Sequence, residues 1–112
     1  MNSRELLKGT LSTIILKLLS EKDRMYGYEM YQHVKELSSG KILLKDGSLY
    51  PALQKMTTDG LLAFKEELVG GRIRKYYYLT KKGQKQKTVY VEELREFLAT
   101  LNKIVFPEIK LA

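Results

Sequence analysis

The chain has no cysteine and no tryptophan, a single histidine and only two prolines among 112 residues. Without Cys there is neither a disulfide nor a thiolate metal site. His33, with no second His to join it, is expected to be a helix-surface residue rather than a metal ligand or general base. No apolar run approaches the ~18 residues of a membrane span and no segment reads as a cleavable leader, so a cytoplasmic protein with no membrane partner is expected. Catalytic sets are missing too: the pairs Glu66-Glu67 and Glu92-Glu93 are sequence neighbours whose carboxylates diverge on a strand or a helix. Gly70-Gly71 is followed by no helix start, which a phosphate-cradling loop would need. Neither an enzyme nor a cofactor is expected.

The most informative absence is local. From Gly70 to Lys87 there is no Asp or Glu, while Arg72, Arg74, Lys75, Lys81, Lys82, Lys85 and Lys87 all fall there. Of the 20 Lys and Arg in the chain these are seven, and the other thirteen balance the 13 acidic residues, so the whole net charge of +7 is one object. A charge confined to one segment makes a directed positive field, for which a nucleic-acid backbone is the commonest partner.

What is present follows helical and strand periods in turn. Glu5 to Leu19 carries apolar residues at Leu7, Leu11, Ile14 and Leu18, with Leu6, Ile15, Leu16 and Leu19 widening the stripe, which predicts a helix buried on most sides. A polar turn at Glu21 to Arg24 precedes a second helix over Gly27 to Leu37, stopped by Ser38-Ser39-Gly40 with Gly40 in a left-handed cap. Pro51 has no N–H and belongs in a first turn, so the third helix is expected to be capped at Gly47 or Ser48, with the Ser48 hydroxyl accepting the N–H of Tyr50. Leu49, Ala52, Leu53 and Met56 give its inward stripe, and Gly60 ends it.

Two strands, Leu61 to Val69 and Arg72 to Thr80, meet at Gly70-Gly71, a hairpin signal because glycine supplies the positive φ of tight turns. Thr80 then caps a last helix whose apolar residues Val91, Leu94, Leu98, Leu101 and Val105 alternate steps of three and four, with Tyr90, Phe97 and Ile104 beside them. An apolar face this long on a terminal helix needs a partner surface. The fold class is therefore mainly α (α+β): a winged helix-turn-helix over residues 1–80 and a C-terminal dimerisation helix over 81–112, forming one structural unit.

In such a fold the helix after the turn enters the DNA major groove, and the hairpin reaches along the backbone. Ser48, Tyr50, Pro51, Gln54 and Lys55 are the candidate contacts from the third helix, Gln54 and Lys55 for bases or phosphates and Ser48 for orienting the turn. Arg72, Arg74 and Lys75 are the candidates from the wing. A winged helix can instead serve as a protein-interaction module whose basic patch meets an acidic partner, and salt dependence separates the two.

The stretch Asp46-Gly47-Ser48-Leu49-Tyr50-Pro51-Ala52-Leu53, then Asp59-Gly60-Leu61-Leu62, then Tyr77-Tyr78-Leu79-Thr80 with Gly83, resembles the PadR family of bacterial winged-helix transcriptional regulators. Leu6-Leu7-Lys8-Gly9-Thr10-Leu11 and Tyr26-Gly27-Tyr28-Glu29 match the same family, and the length resembles its short subfamily, with one C-terminal helix. The resemblance implies a homodimeric repressor of operator DNA, released by a small hydrophobic or phenolic ligand. Leu7, Leu11, Val91, Leu94, Phe97, Leu98, Leu101 and Val105 are the expected dimer and ligand residues. Two departures stand out: Thr57-Thr58 replace the more usual Leu-Glu, and the last helix has no Trp for the aromatic sandwich of a multidrug-sensing member.

Overall fold

A computed structural model describes residues 7–108. Leu7 opens a turn in which both the N–H and the hydroxyl of Thr10 donate to the Leu7 carbonyl, at 2.9 and 3.1 Å. This turn holds Gly9 and a hydroxyl that competes for a backbone acceptor, and both features disfavour helix. Helix α1 is Leu11–Glu21; Leu7 is helical as expected, but the turn at residues 8–10 interrupts the continuous helix expected from Glu5 to Leu19, and α1 runs on past Leu19 to Glu21. Glu5 and Leu6 lie outside the described residues. Ile15, Leu16, Leu18 and Leu19 of α1 are buried at the centre of the core.

Helix α2 spans Gly27–Leu37, as its period predicts. The carboxylate of Glu29 accepts the N–H of Tyr26 at 3.1 Å and so ties down its first turn. At the other end Ser39 and Gly40 both have positive φ, 54° and 79°, and the Gly40 N–H closes onto the Lys35 carbonyl at 2.8 Å.

Helix α3 is Asp46–Thr58, with Lys45 as its N-cap and no side-chain cap bond. This corrects the expected start at Gly47 or Ser48. Ser48 sits inside the first turn, half-buried, where its own N–H goes to the Lys45 carbonyl at 3.0 Å. Pro51 is consequently in the second turn. The bond it cannot make would have gone to Gly47, which is exposed, so solvent can serve that carbonyl and the proline is tolerated further into the helix than a strict first-turn rule allows.

Strands β1, Leu62–Val69, and β2, Arg72–Leu79, pair antiparallel from Leu62↔Leu79 to Val69↔Arg72 around Gly70-Gly71, whose φ values are 56° and 79°. Two consecutive positive φ values match the right-handed twist of a hairpin. A bridge from Met25 to Tyr77, with N–H to O distances of 3.0 and 2.9 Å in the two directions, adds a third short edge. It fastens the wing to the residue pair that opens α2.

Thr80 joins wing to last helix. Its hydroxyl accepts the Gly83 N–H at 3.0 Å and lies 2.6 Å from the Gly60 carbonyl, so one side chain caps α4 and holds the end of α3. Helix α4 is Lys81–Val105. Gly83 is buried against the Leu61 carbonyl, where no Cβ would fit. The first half of α4 packs on α1, with Tyr90 against the core beside Leu7, Leu11 and Ile14. Beyond Leu94 the helix leaves the body, and the chain measures 56 × 30 × 21 Å. Its radius of gyration of 15.8 Å exceeds the ~13 Å of a compact chain this long.

Candidate nucleic-acid interface

The site is built where α3, the start of α2 and the hairpin meet. Helix period sends Leu49, Leu53 and Met56 into the core, which leaves Tyr50, Pro51, Gln54 and Lys55 on the outer face of α3. Tyr50 is held there by close approach. A Cβ at Gly27 would lie 2.7 Å from its hydroxyl, so only glycine at the first position of α2 lets the ring lie across it.

Strand period gives the hairpin two unlike faces. One carries Leu62, Phe64, Glu66 and Leu68 with their partners Leu79, Tyr77, Lys75 and Ile73. Its inner end is core and its outer end is solvent, with Tyr77 buried and Ile73 exposed. Burial pushes the Tyr77 phenol above its ordinary range. The other face stacks cations on rings. The Arg24 guanidinium lies 4.1 Å from the Tyr76 ring centre, Tyr76 meets Tyr26 edge-on at 5.4 Å, and Arg74 lies 4.4 Å from the Tyr26 ring. Arg24 is also paired with Glu67, a hydrogen bond that holds the Glu67 carboxyl below the usual carboxylate range.

Tyr50 and Gln54 from α3, Arg74 and Lys75 from β2, and Tyr26, Thr57, Thr58, Phe64 and Ile73 between them line one open cleft of about 670 Å³. The structure thus brings together half of the expected contact residues. Ser48, Pro51, Lys55 and Arg72 lie outside the cleft. Lys55 is engaged with Asp59 at 3.2 Å across one helical turn, although both remain exposed. Arg74 is half-buried over Tyr26, while Arg72 and Lys75 are exposed. Lys75 itself leans over Phe64, 4.7 Å from the ring centre.

Two features escaped sequence reasoning. Lys82 donates to the Asp59 carbonyl at 2.8 Å and complements the C-terminal end of α3, so one of the seven clustered charges has a partner inside the fold. Tyr26 and Tyr76 form the stack that carries Arg74. The run Arg74-Lys75-Tyr76-Tyr77-Tyr78 was the available signal for Tyr76, whereas Tyr26 was marked only by its place in Tyr26-Gly27-Tyr28-Glu29, which says nothing of the stack.

A helix-turn-helix with an exposed second helix and a cationic hairpin beside it defines a winged-helix protein. Residues 15–89 match the Transcriptional regulator PadR-like family, and the chain belongs to it; it is a PadR-like transcriptional regulator. It superposes on a transcriptional regulator from Clostridium thermocellum with a TM-score of 0.83 and 28% identity, over 90% of this chain and 98% of that one. Bacillus subtilis PadR in complex with operator DNA matches with a TM-score of 0.66 and 29% identity, over 72% of this chain and 46% of that one. The transcriptional regulator YqjI of Escherichia coli is 32% identical over 88 residues, 79% of this chain. The chain spans 39% of YqjI's own length.

Proposed function

We propose that the protein binds double-stranded operator DNA as a homodimer and represses transcription until a small hydrophobic or phenolic ligand releases it. The observation that carries the DNA reading is the shared cleft, lined by Tyr50 and Gln54 of α3 together with Arg74 and Lys75 of β2. A duplex seated there would meet α3 in its major groove and Arg72, Arg74 and Lys75 along its phosphates. Ser48, Pro51 and Lys55 extend that contact along the outer face of α3. The Bacillus subtilis relative solved in complex with operator DNA supports the DNA reading.

The dimer reading rests on α4. Phe97, Leu98, Leu101, Ile104 and Val105 are exposed large apolar residues on the outer end of α4, with exposed Phe106 just past it, an area that water tolerates poorly at ~25 cal/mol per Å². A second copy supplies the cover. Residues 81–112 then form the dimerisation element and residues 1–80 the DNA-binding one. Leu7, Leu11, Val91 and Leu94 are half-buried, and across a twofold axis they would enclose, with Phe97, the apolar space for a ligand. Such a ligand acts by changing the separation of two α3 helices that must match one turn of DNA, ~34 Å.

The test is a gel shift of the purified protein on its own upstream DNA, with an unrelated duplex as control. A retarded dimer complex that competitor DNA of random sequence does not displace is expected. Equal retardation of both duplexes, or none, contradicts sequence-specific regulation.

A further inference from the structure

We propose that Thr80 and Lys82 are positioning residues that clamp the end of α3 to the start of α4, and so fix the half-site spacing accepted by a dimer joined through α4. This rests on the DNA and dimer readings above. Three consecutive carbonyls follow the last turn of α3, and each is taken by a donor from the head of α4. The Asp59 carbonyl accepts from the Lys82 ammonium at 2.8 Å, that of Gly60 from the Thr80 hydroxyl at 2.6 Å, and that of Leu61 from the Thr80 N–H at 3.2 Å. Lys55 does not compete with Lys82, because its ammonium is on the Asp59 carboxylate at 3.2 Å. The same Thr80 hydroxyl accepts the Gly83 N–H at 3.0 Å, and Gly83 is pressed so closely on the Leu61 carbonyl that no Cβ would fit.

The chemistry of these contacts says what they restrain. Elsewhere α4 is held to the body by packing on α1, with Tyr90 against the apolar core. Apolar burial is non-directional and holds a helix close without fixing its angle. Hydrogen bonds weaken steeply off line, so three of them within one turn set the angle between α3 and α4. That angle is amplified along α4. From Thr80 to Leu98, on the uncovered apolar face, is ~27 Å at the rise of an α-helix. A tilt of about 10° at the clamp therefore shifts α3 by about 5 Å relative to the dimer contact, more than the ~3.4 Å rise of one base pair.

The chain has no cysteine, so single spin labels can be placed by substitution at exposed positions. In labelled dimers, Gln54→Cys reports the separation of the two α3 helices and Glu96→Cys that of the two α4 helices, by double electron–electron resonance. Thr80→Val/Lys82→Met is expected to widen the Gln54→Cys distance distribution about twofold and to leave the Glu96→Cys distribution unchanged, while Thr80→Ser/Lys82→Arg keeps both as in wild type. Spacing is then read by anisotropy on duplexes carrying the footprinted half-sites at native separation or with one base pair inserted. The wild type should discriminate about tenfold and the clamp variant about threefold or less, with the salt slope unchanged because Lys82 is bonded to a carbonyl and not to a phosphate. If the double variant fails to fold, Lys82→Met alone, a change at an exposed residue, is read in the same way. An α3 separation that does not broaden, equal broadening at both labels, unchanged spacing discrimination or a salt slope lower by about one unit overturns the proposal. If the wild-type dimer binds no upstream duplex, the DNA reading fails, and the two distance measurements still decide the clamp.

Discussion

Gly27 and Tyr50 show how one missing side chain can set a functional surface. The Tyr50 ring occupies the space a Cβ at position 27 would need, so Gly27→Ala forces the ring, and the N-terminal half of α3 with it, outward. Sequence-specific binding is expected to fall more than binding to random duplex, and thermal unfolding should show a loss of ~1–3 kcal/mol. Equal binding by wild type and variant in the two competitions would show that Tyr50 need not be held. Wing arginines differ in the same way. Arg72 is exposed, whereas Arg74 is half-buried on Tyr26. Arg72→Ala is expected to weaken all duplexes alike and lower the salt slope by about one unit. Arg74→Ala should do this and also lower the melting temperature. Gln54→Ala should relax discrimination at one base pair, at a cost of ~1–3 kcal/mol.

Elements with a periodic or capped sequence were legible, and those made by single contacts were not. The bounds of α2, the hairpin with its glycine turn, and the Thr80 cap on α4 follow from residue pattern, because each is fixed by neighbours in sequence. The start of α3 was misplaced because the proline rule concerns a lost bond, and an exposed acceptor at Gly47 makes that loss small. The Met25–Tyr77 bridge and the Tyr26–Tyr76 stack join segments about fifty residues apart, and no local period can announce them. Of the eleven residues lining the cleft, Tyr50, Gln54, Arg74 and Lys75 were readable as contacts from the periods of α3 and β2, while Tyr26 and Phe64 depend on how elements meet. The Thr80 joint yields a measurable consequence. Thr80→Ala removes the cap of α4 and the tie to Gly60, and should destabilise by ~1–2 kcal/mol in denaturant titration. Gly83→Ala, which drives a methyl into the Leu61 carbonyl, should cost more than Thr80→Ala. Acid acts on the other wing tie. The Glu67 carboxyl is depressed by Arg24, so its contribution is present above the ordinary carboxylate range and is lost as pH falls through and below it. Glu67→Gln should therefore flatten the profile by lowering stability slightly at neutral pH, while leaving it nearly unchanged below the carboxylate range.

For the whole molecule, charge and apolar surface are separated along its length. The cationic wing and first turns of α4 lie toward the body, and the uncovered apolar face lies on the outer half of α4. In the proposed dimer, this polarity puts the two proposed DNA-contacting units on either side of a central contact. Leu98→Glu puts a charge into that contact and is expected to give monomers in sedimentation velocity at micromolar concentration, with operator affinity lost. A wild type that sediments as a stable monomer would contradict the dimer. Ligand control follows only if a compound binds the DNA-free arrangement better, since linkage is reciprocal. Thermal-shift hits among hydrophobic and phenolic compounds should therefore weaken when operator is present.

The central claim is that the concentrated positive charge of the wing engages DNA phosphates rather than merely solvating a surface. It is tested most directly by the dependence of DNA affinity on salt, for wild type and for the Arg72→Ala/Lys75→Ala double variant. The wild type should lose affinity steeply as salt rises, and the variant should show a slope smaller by about two units with weaker binding to every duplex. Identical slopes for the two proteins, or no salt dependence in either, would contradict the account.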